Sequence, residues 1–319
     1  MTQPSERWRV SSLAECRTAR RTTVPATRRR GRGGRSMASR NHRHAPRTLV
    51  RVTSALNWPG FADVSLAALL LLCAAAFAAG AVDAIVGGGG LIQLPALLLV
   101  MPGGEPIFSL ATSKVAAVVG TASAVPTYAR RTRIDWSTAV PMAVVAFLGA
   151  VGGAAFANLL PSVALNSVVL VALIVVGVYT WRRPSLGSVE APRFGRRHQI
   201  LLASLGGATI GFWDGLAGPG TGSFLVFLLV GLVGYAFLHA SATAKLVNTA
   251  TNIGALCYFI PAGKVLWGLG LVMAVCNLAG SVSGAMLASR RGSEFIRRVF
   301  LTVVVATVVS LAWRLATGG

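Results

Sequence analysis

DAIVGGGGLIQLPALLLVM, Asp83 to Met101, decides how this chain folds. It begins inside an apolar run that starts near Phe61, meets four glycines at 87–90, and resumes at Leu91 as a second apolar run. That second run is too short to cross a bilayer alone, which takes about 20 residues. Glycine allows backbone conformations and close approaches closed to other residues. Inside hydrocarbon such a break survives only where protein or a cavity satisfies the freed backbone groups. The stretch reads as a broken membrane helix.

Composition agrees. Charged residues make up 12% of the chain and hydrophobic ones 54%, whereas a soluble domain carries about a quarter charged residues. Continuous runs such as VVLVALIVVGVY (168–179) do not alternate, so a membrane β-barrel is excluded. The fold class is all-α: a polytopic helical membrane protein of about eight segments.

The net charge of +21 is concentrated at one end, since residues 1–55 hold fourteen arginines and two glutamates. This tail, rich in Arg, Ser and Thr, has no means of forming a core. It reads as a disordered basic segment, or in part as an over-extended start with Met37 as the alternative. Residues 56–319 form the transmembrane domain. Cys16, Cys73, Cys257 and Cys276 show no metal-ligand spacing, and no metal, disulfide or cofactor is expected.

The break occurs twice. Asp83 aligns with Asp214 at an offset of 131, and the same ungapped offset brings Gly87 onto Gly218, Gly89 onto Gly220, and ATSK (111–114) onto ATAK (242–245). It also superposes Trp136 on Trp267 and GAVGGA (149–154) on GSVSGA (280–285). Repeat one covers about 60–181 and repeat two about 199–315, with a polar loop at 182–199 between them. Internal duplication is common in secondary transporters, whose site lies at the repeat interface. Basic loops mark the cytoplasmic side. Counting from 129–133 and 182–197 gives a cytoplasmic N-terminus and four crossings per half, hence parallel halves. The arginines at 290, 291, 297 and 298 fall on the wrong side of that count.

The candidate site follows from the rare residues. The chain has three lysines, and two of them, Lys114 and Lys245, are repeat-equivalent and lie in apolar spans. A cation in the bilayer core costs about 2.5–3.5 kcal/mol and usually faces a cavity or a partner. The functional reading is an anion site; the bland one is snorkelling, or pairing with Asp83 and Asp214. Those aspartates have three candidate roles: carrying a coupling proton, holding the lysines, or receiving N–H groups of the broken helices. Lys245, Asn248, Thr249 and Asn252 share one helix face, read either as substrate contacts or as helix–helix hydrogen bonds. Gly87, Gly88, Gly89 and Gly90, with Gly218, Gly220, Thr221 and Gly222, mark where restarting helices would aim N–H groups at a ligand. Trp136 and Trp267 read as interfacial anchors, and the two small-residue motifs as helix-packing surfaces.

AGAVDAIVGGGGLIQLPALL (79–98), ATSK, GFWDGLAGPGTGSF (211–224) and ATAKLVNTATNIGAL (242–256) together resemble the TauE/SafE sulfite-exporter-like family of permeases. The resemblance implies a helical transporter in the cell membrane, associated with sulfite, sulfonates or other sulfur or organic oxyanions. The expected partners are a small anionic solute and the lipid bilayer. A homo-oligomer stays open, and nucleic acid is not expected. Two other readings are weighed: an intramembrane enzyme, and a lipid- or nucleic-acid-binding protein acting through its tail. No HExxH motif and no Ser–His or Cys–His arrangement supports the enzyme, and no GxxxxGK[ST] loop supports a pumping ATPase.

Overall fold

A computed structural model describes residues 64–101, 105–165, 167, 168, 171 and 195–291. The basic tail, most of the expected span at 163–181, most of the 182–197 loop and the span at 296–313 lie outside the described residues. So does the first of the chain's two units, Met1–Val50.

The described chain is helical. Ser65 caps α1, Leu66–Val86, by accepting from the Ala68 N–H at 3.2 Å. Gly87 ends it in the left-handed region at φ 81°, and α2, Gly90–Val100, follows. Then come α3, Pro106–Ala129, and α4, Trp136–Leu159. The second half repeats this as α5, Arg196–Leu216, and α6, Thr221–Leu228, which continues as a π-helix over Leu229–Val233. It closes with α7, Phe237–Phe259, and α8, Trp267–Arg291. The starts Gly90 and Thr221, Pro106 and Phe237, and Trp136 and Trp267 all stand 131 positions apart. Helices α1, α3, α4 and α8 are long and apolar enough to cross a membrane. The 21 residues of α5 and 23 of α7 give equal reach at about 1.5 Å per residue, with more polar side chains.

The ends that meet define the directions. Lys264, after α7, pairs with Glu105, before α3, at 3.3 Å, and the Leu266 N–H donates to Thr112 at 3.1 Å. At the opposite end Tyr235, before α7, donates to Asp135, before α4, at 2.7 Å. Helices α3 and α7 are therefore antiparallel. Helix α8 runs with α3, because Gly270 lies against Thr112 and Val115 while Asn277 and Ser281 lie against Gly120. It runs with α1 too, since Asn277 meets Ala76 and Gly284 meets Ala81. So α1 and α3 share a direction, and the chain between them turns back at the glycines.

The halves are inverted. This corrects the expectation of parallel halves: the break at 87–90 reverses the chain, and α1 with α2 leaves it on the side where it began. Inversion also resolves the misplacement of Arg290 and Arg291; 297 and 298 lie outside the described residues. All seven arginines among the described residues follow α3, open α5 or end α8, and these positions share one end of the bundle.

The small-residue motifs hold the halves together. Gly149 and Gly153 press on the Ala208 and Phe212 carbonyls, where an added Cβ would lie 2.3 and 1.9 Å away. Gly280 and Gly284 do the same at the equivalent Phe77 and Ala81 carbonyls, at 2.0 and 2.4 Å. Each repeat thus contributes a glycine helix, α4 or α8, that packs on the first helix of the other. Close backbone approach of this kind drives helix association in lipid. Trp136 and Trp267 are 56% and 47% exposed, at opposite ends, as interfacial anchors would be.

At the arginine-bearing end, Asp135 collects Ser137, Thr138, Tyr235 and Arg196, and Gln199 donates to the Tyr235 hydroxyl at 2.8 Å. Burial alone would raise the Asp135 carboxyl. The hydrogen bonds from Ser137, Tyr235 and Thr138, with the Arg196 charge, hold it well below the usual carboxylate range. Burial pushes the Tyr235 phenol up to about 12, and the neighbouring Asp135 adds to the shift.

Candidate functional site

The two breaks meet inside the bundle. The Ser223 N–H donates to the Gly87 carbonyl at 3.1 Å, and the Ser223 hydroxyl to the Val86 carbonyl at 2.9 Å. Backbone groups freed by the first break are thus satisfied by the second, as an intramembrane break requires. The contact excludes side chains. A Cβ on Gly222 would lie 2.5 Å from the Gly87 Cα, and one on Gly87 would lie 2.2 Å from the Gly222 carbonyl carbon.

Both lysines reach across the repeats. Lys114 of α3 pairs with Asp214 of α5 at 2.8 Å, and Lys245 of α7 with Asp83 of α1 at 2.8 Å. Lys245 also donates to the Asp83 backbone carbonyl. Three of the four side chains are buried and Asp83 is partly so, with exposures of 4% and 3% for the first pair and 1% and 14% for the second. The bland sequence reading is therefore correct as geometry: each lysine has a carboxylate partner, in the opposite repeat from its own. With both members charged, each pair is neutral.

The pairs differ in how fully the carboxylates are held. Asp83 gives one oxygen to Lys245 and the other to the Gly89 N–H, at 3.4 Å. In Asp214 the oxygen facing Lys114 also accepts from the Thr221 hydroxyl at 2.6 Å. Its second oxygen is buried and has no hydrogen-bond partner among the described residues.

A cavity opens where these groups converge. Its empty volume, including the part open to solvent, is about 500 Å³. Of the residues singled out in the sequence, Asp83, Gly87, Gly89, Gly90, Lys114, Asp214, Gly218, Thr221, Gly222, Asn248 and Asn252 line it. The starts of α2 and α6 both face it, bringing the positive ends of two helix dipoles. Gly88, Gly220, Lys245 and Thr249 are not in the lining. Lys245 lies behind Asp83, and the Thr249 hydroxyl is taken up by the Lys245 carbonyl, 2.8 Å away.

Three further polar residues join the lining: Gln93, Ser113 and Asn277. Gln93 donates to the Ser113 carbonyl at 3.0 Å, and Asn277 donates to Gln93 at 2.9 Å and to the Ala76 carbonyl at 3.2 Å. The repeat could not flag Gln93 or Asn277, because their equivalents are Phe224 and Ala146. The available signal was each amide's isolation in an apolar run, where an unsatisfied polar group is costly. On the other wall Asn252 donates to the Asn248 carbonyl at 2.7 Å. The lining is thus asymmetric although the frame is two-fold: Asn248 and Asn252 correspond to Ala117 and Thr121.

Comparison with known proteins identifies the same region. The family model described as sulfite exporter TauE/SafE matches residues 72–311. A Sinorhizobium protein named "Probable membrane transporter protein ORF9" is 35% identical over 249 residues, covering 78% of this chain and 94% of its own. "Probable membrane transporter protein YfcA" of Escherichia coli K12 is 35% identical over 74% of this chain and 85% of its own. A Haemophilus influenzae protein of the same description is 32% identical over 74% and 91%. No solved structure matches. The family match, the relatives and the apolar helices agree: the chain is a membrane-embedded transporter and belongs to the sulfite exporter TauE/SafE family.

Proposed function

We propose that the chain is a secondary permease for a small anion, a sulfur or organic oxyanion such as sulfite or a sulfonate, with residues 56–319 as its transport domain. The observation that carries this reading is Lys114 at the cavity wall, the one lysine in the lining, set against the starts of α2 and α6. With Lys114 matched by Asp214, the two helix dipole ends tip the cavity toward an anion, and the ammonium adds to them once that pair opens. The amides of Gln93 and Asn248 border the same space and supply donors that select shape, while those of Asn252 and Asn277 donate to Asn248 and to Gln93 and Ala76 and brace the wall. The family's description as sulfite exporters supports an oxyanion.

Inverted repeats suit alternating access, in which one repeat rocks against the other around a fixed site. The arginine-bearing end is the cytoplasmic one on the charge rule. That puts the start of α1 on the outer side, opposite to the linear count.

The test is thermal stability of the purified protein against sulfite, sulfate, thiosulfate, sulfoacetate, acetate and chloride, beside Lys114→Met. A ligand at 100 times its dissociation constant adds about 2.7 kcal/mol. Selective stabilisation by one anion class, lost in Lys114→Met, is the expected result. Stabilisation by no anion, or stabilisation that survives the substitution, defeats the assignment.

A further inference from the structure

We infer that Asp214 is a proton-binding site, and that its protonation is what frees Lys114 to take the anion. The inference rests on the anion reading above and names its coupling ion. An ionised carboxylate needs partners on both oxygens, and a buried one left bare is costly. Asp214 has Lys114 and Thr221 on one oxygen and no partner among the described residues on the other, although the residue is 2% exposed and lines the cavity. Asp83 is its repeat equivalent and has both oxygens engaged. One position of a duplicated pair therefore has both oxygens engaged, and the other keeps one oxygen without a donor among the described residues.

The ionisable groups around Asp214 are few. Lys114 faces it from α3, and the Asp83–Lys245 pair from α1 and α7 borders the same space. Helices α2, α4 and α6 carry no ionisable side chain. Arg196, Arg197 and His198 lie at the far end of α5, and Arg290 and Arg291 end α8.

The charge balance then defines a cycle. With Asp214 ionised, Lys114 is neutralised and the cavity offers an incoming anion no net charge. A proton entering at the bare oxygen neutralises the carboxylate and leaves Lys114 as an uncompensated ammonium beside the cavity. A monovalent anion takes the place of the carboxylate charge, and the site is neutral again. Loss of the proton restores the ion pair and expels the anion. One proton moves with each anion, so transport of a monovalent anion is electroneutral.

Two measurements test this. The first needs no substrate: infrared difference spectra of the full-length protein in lipid, titrated in pH, follow the carbonyl stretch of a protonated carboxyl. The other acidic side chains give a common background; the component assigned to Asp214 titrates in wild type, persists in Asp83→Asn, and is missing from both Asp214→Asn and Lys114→Met/Asp214→Asn. The second variant matters because it leaves no unpaired charge and so guards against misfolding. A titration identical in wild type and in both Asp214 variants overturns the proton site.

The second measurement uses methanesulfonate, an anion that stays ionised across the pH range, in proteoliposomes of wild-type protein. One proton per anion gives about tenfold accumulation per pH unit, unchanged by a potassium diffusion potential. Uptake driven by the potential or by sodium, and indifferent to the pH gradient, overturns the coupling while leaving the anion reading intact. A titrating Asp214 component with no uptake of methanesulfonate and no stabilisation by any anion of the panel above upholds the proton site and sinks the anion reading.

Discussion

The Lys245–Asp83 pair permits a worked test of the cross-repeat frame. At 2.8 Å, and with side chains 1% and 14% exposed, the Coulomb attraction is about 6 kcal/mol at an effective dielectric of 20. Desolvation offsets much of it, so the net value of the pair is far smaller than the cost of removing one partner, about 3–5 kcal/mol. The two single substitutions should differ. Asp83→Asn strands an ammonium that is almost wholly buried, and belongs near the upper figure. Lys245→Met leaves a carboxylate that is partly exposed and still accepts from Gly89, and belongs near the lower. The double variant, neutral and close in volume, should recover to within about 1–2 kcal/mol of wild type. Denaturant unfolding in detergent micelles, followed by tryptophan fluorescence, measures all four proteins. If the single costs simply add in the double variant, the pair does not join the repeats, and the inverted packing loses a main support.

Three further outcomes are expected. Gly222→Ala places a Cβ 2.5 Å from the Gly87 Cα, backbone against backbone, so it should lower stability by about 1–3 kcal/mol and abolish uptake; Gly195→Ala, with nothing within 4 Å, is the neutral control in both assays. In a cysteine-free background, Thr132→Cys and Ser289→Cys should react with an impermeant reagent from one side of oriented vesicles and Ala262→Cys from the other, and labelling of Thr132→Cys and Ala262→Cys from the same side would reject inversion. Asp135 titrates lower when folded than unfolded, so its contribution is complete above the unfolded value of about 3.9 and is lost as pH falls toward the folded one. Tyr235→Phe removes one of the bonds that lower it, and stability measured from pH 7 to pH 3 should show a smaller acid loss than in wild type.

Much of this arrangement was legible in the residues. The 131-residue register, the two glycine breaks and the two lysines are rare features in an apolar background, and each lies at a functional junction. The direction of the chain after the break was not legible. An eleven-residue apolar run such as α2 has the same hydropathy whether it continues outward or turns back, and loop arginines could not arbitrate until the turn was known. The choice of partner was equally hidden, because Asp83 is much closer in sequence to Lys114 than to Lys245, the residue it pairs with. Thr249 shares a helix face with Asn248 and Asn252, but a threonine hydroxyl within a helix readily bonds the carbonyl four residues back, and it does so here.

The crossed pairing bears on how the protein is made. Lys114 and Asp83 emerge from the ribosome and enter the bilayer before Asp214 and Lys245 exist. At about 5–20 residues per second, the 100 residues from Lys114 to Asp214 and the 162 from Asp83 to Lys245 delay the true partners by about 5–20 s and about 8–32 s. Over those intervals the nascent first half holds an unmatched cation and an unmatched carboxylate in lipid, each costing about 2.5–3.5 kcal/mol, with its glycine tip uncovered. The first repeat is therefore a poor candidate for an independent folding unit, and quality control in the membrane has a defined target: a half-made chain whose charges have yet to be met.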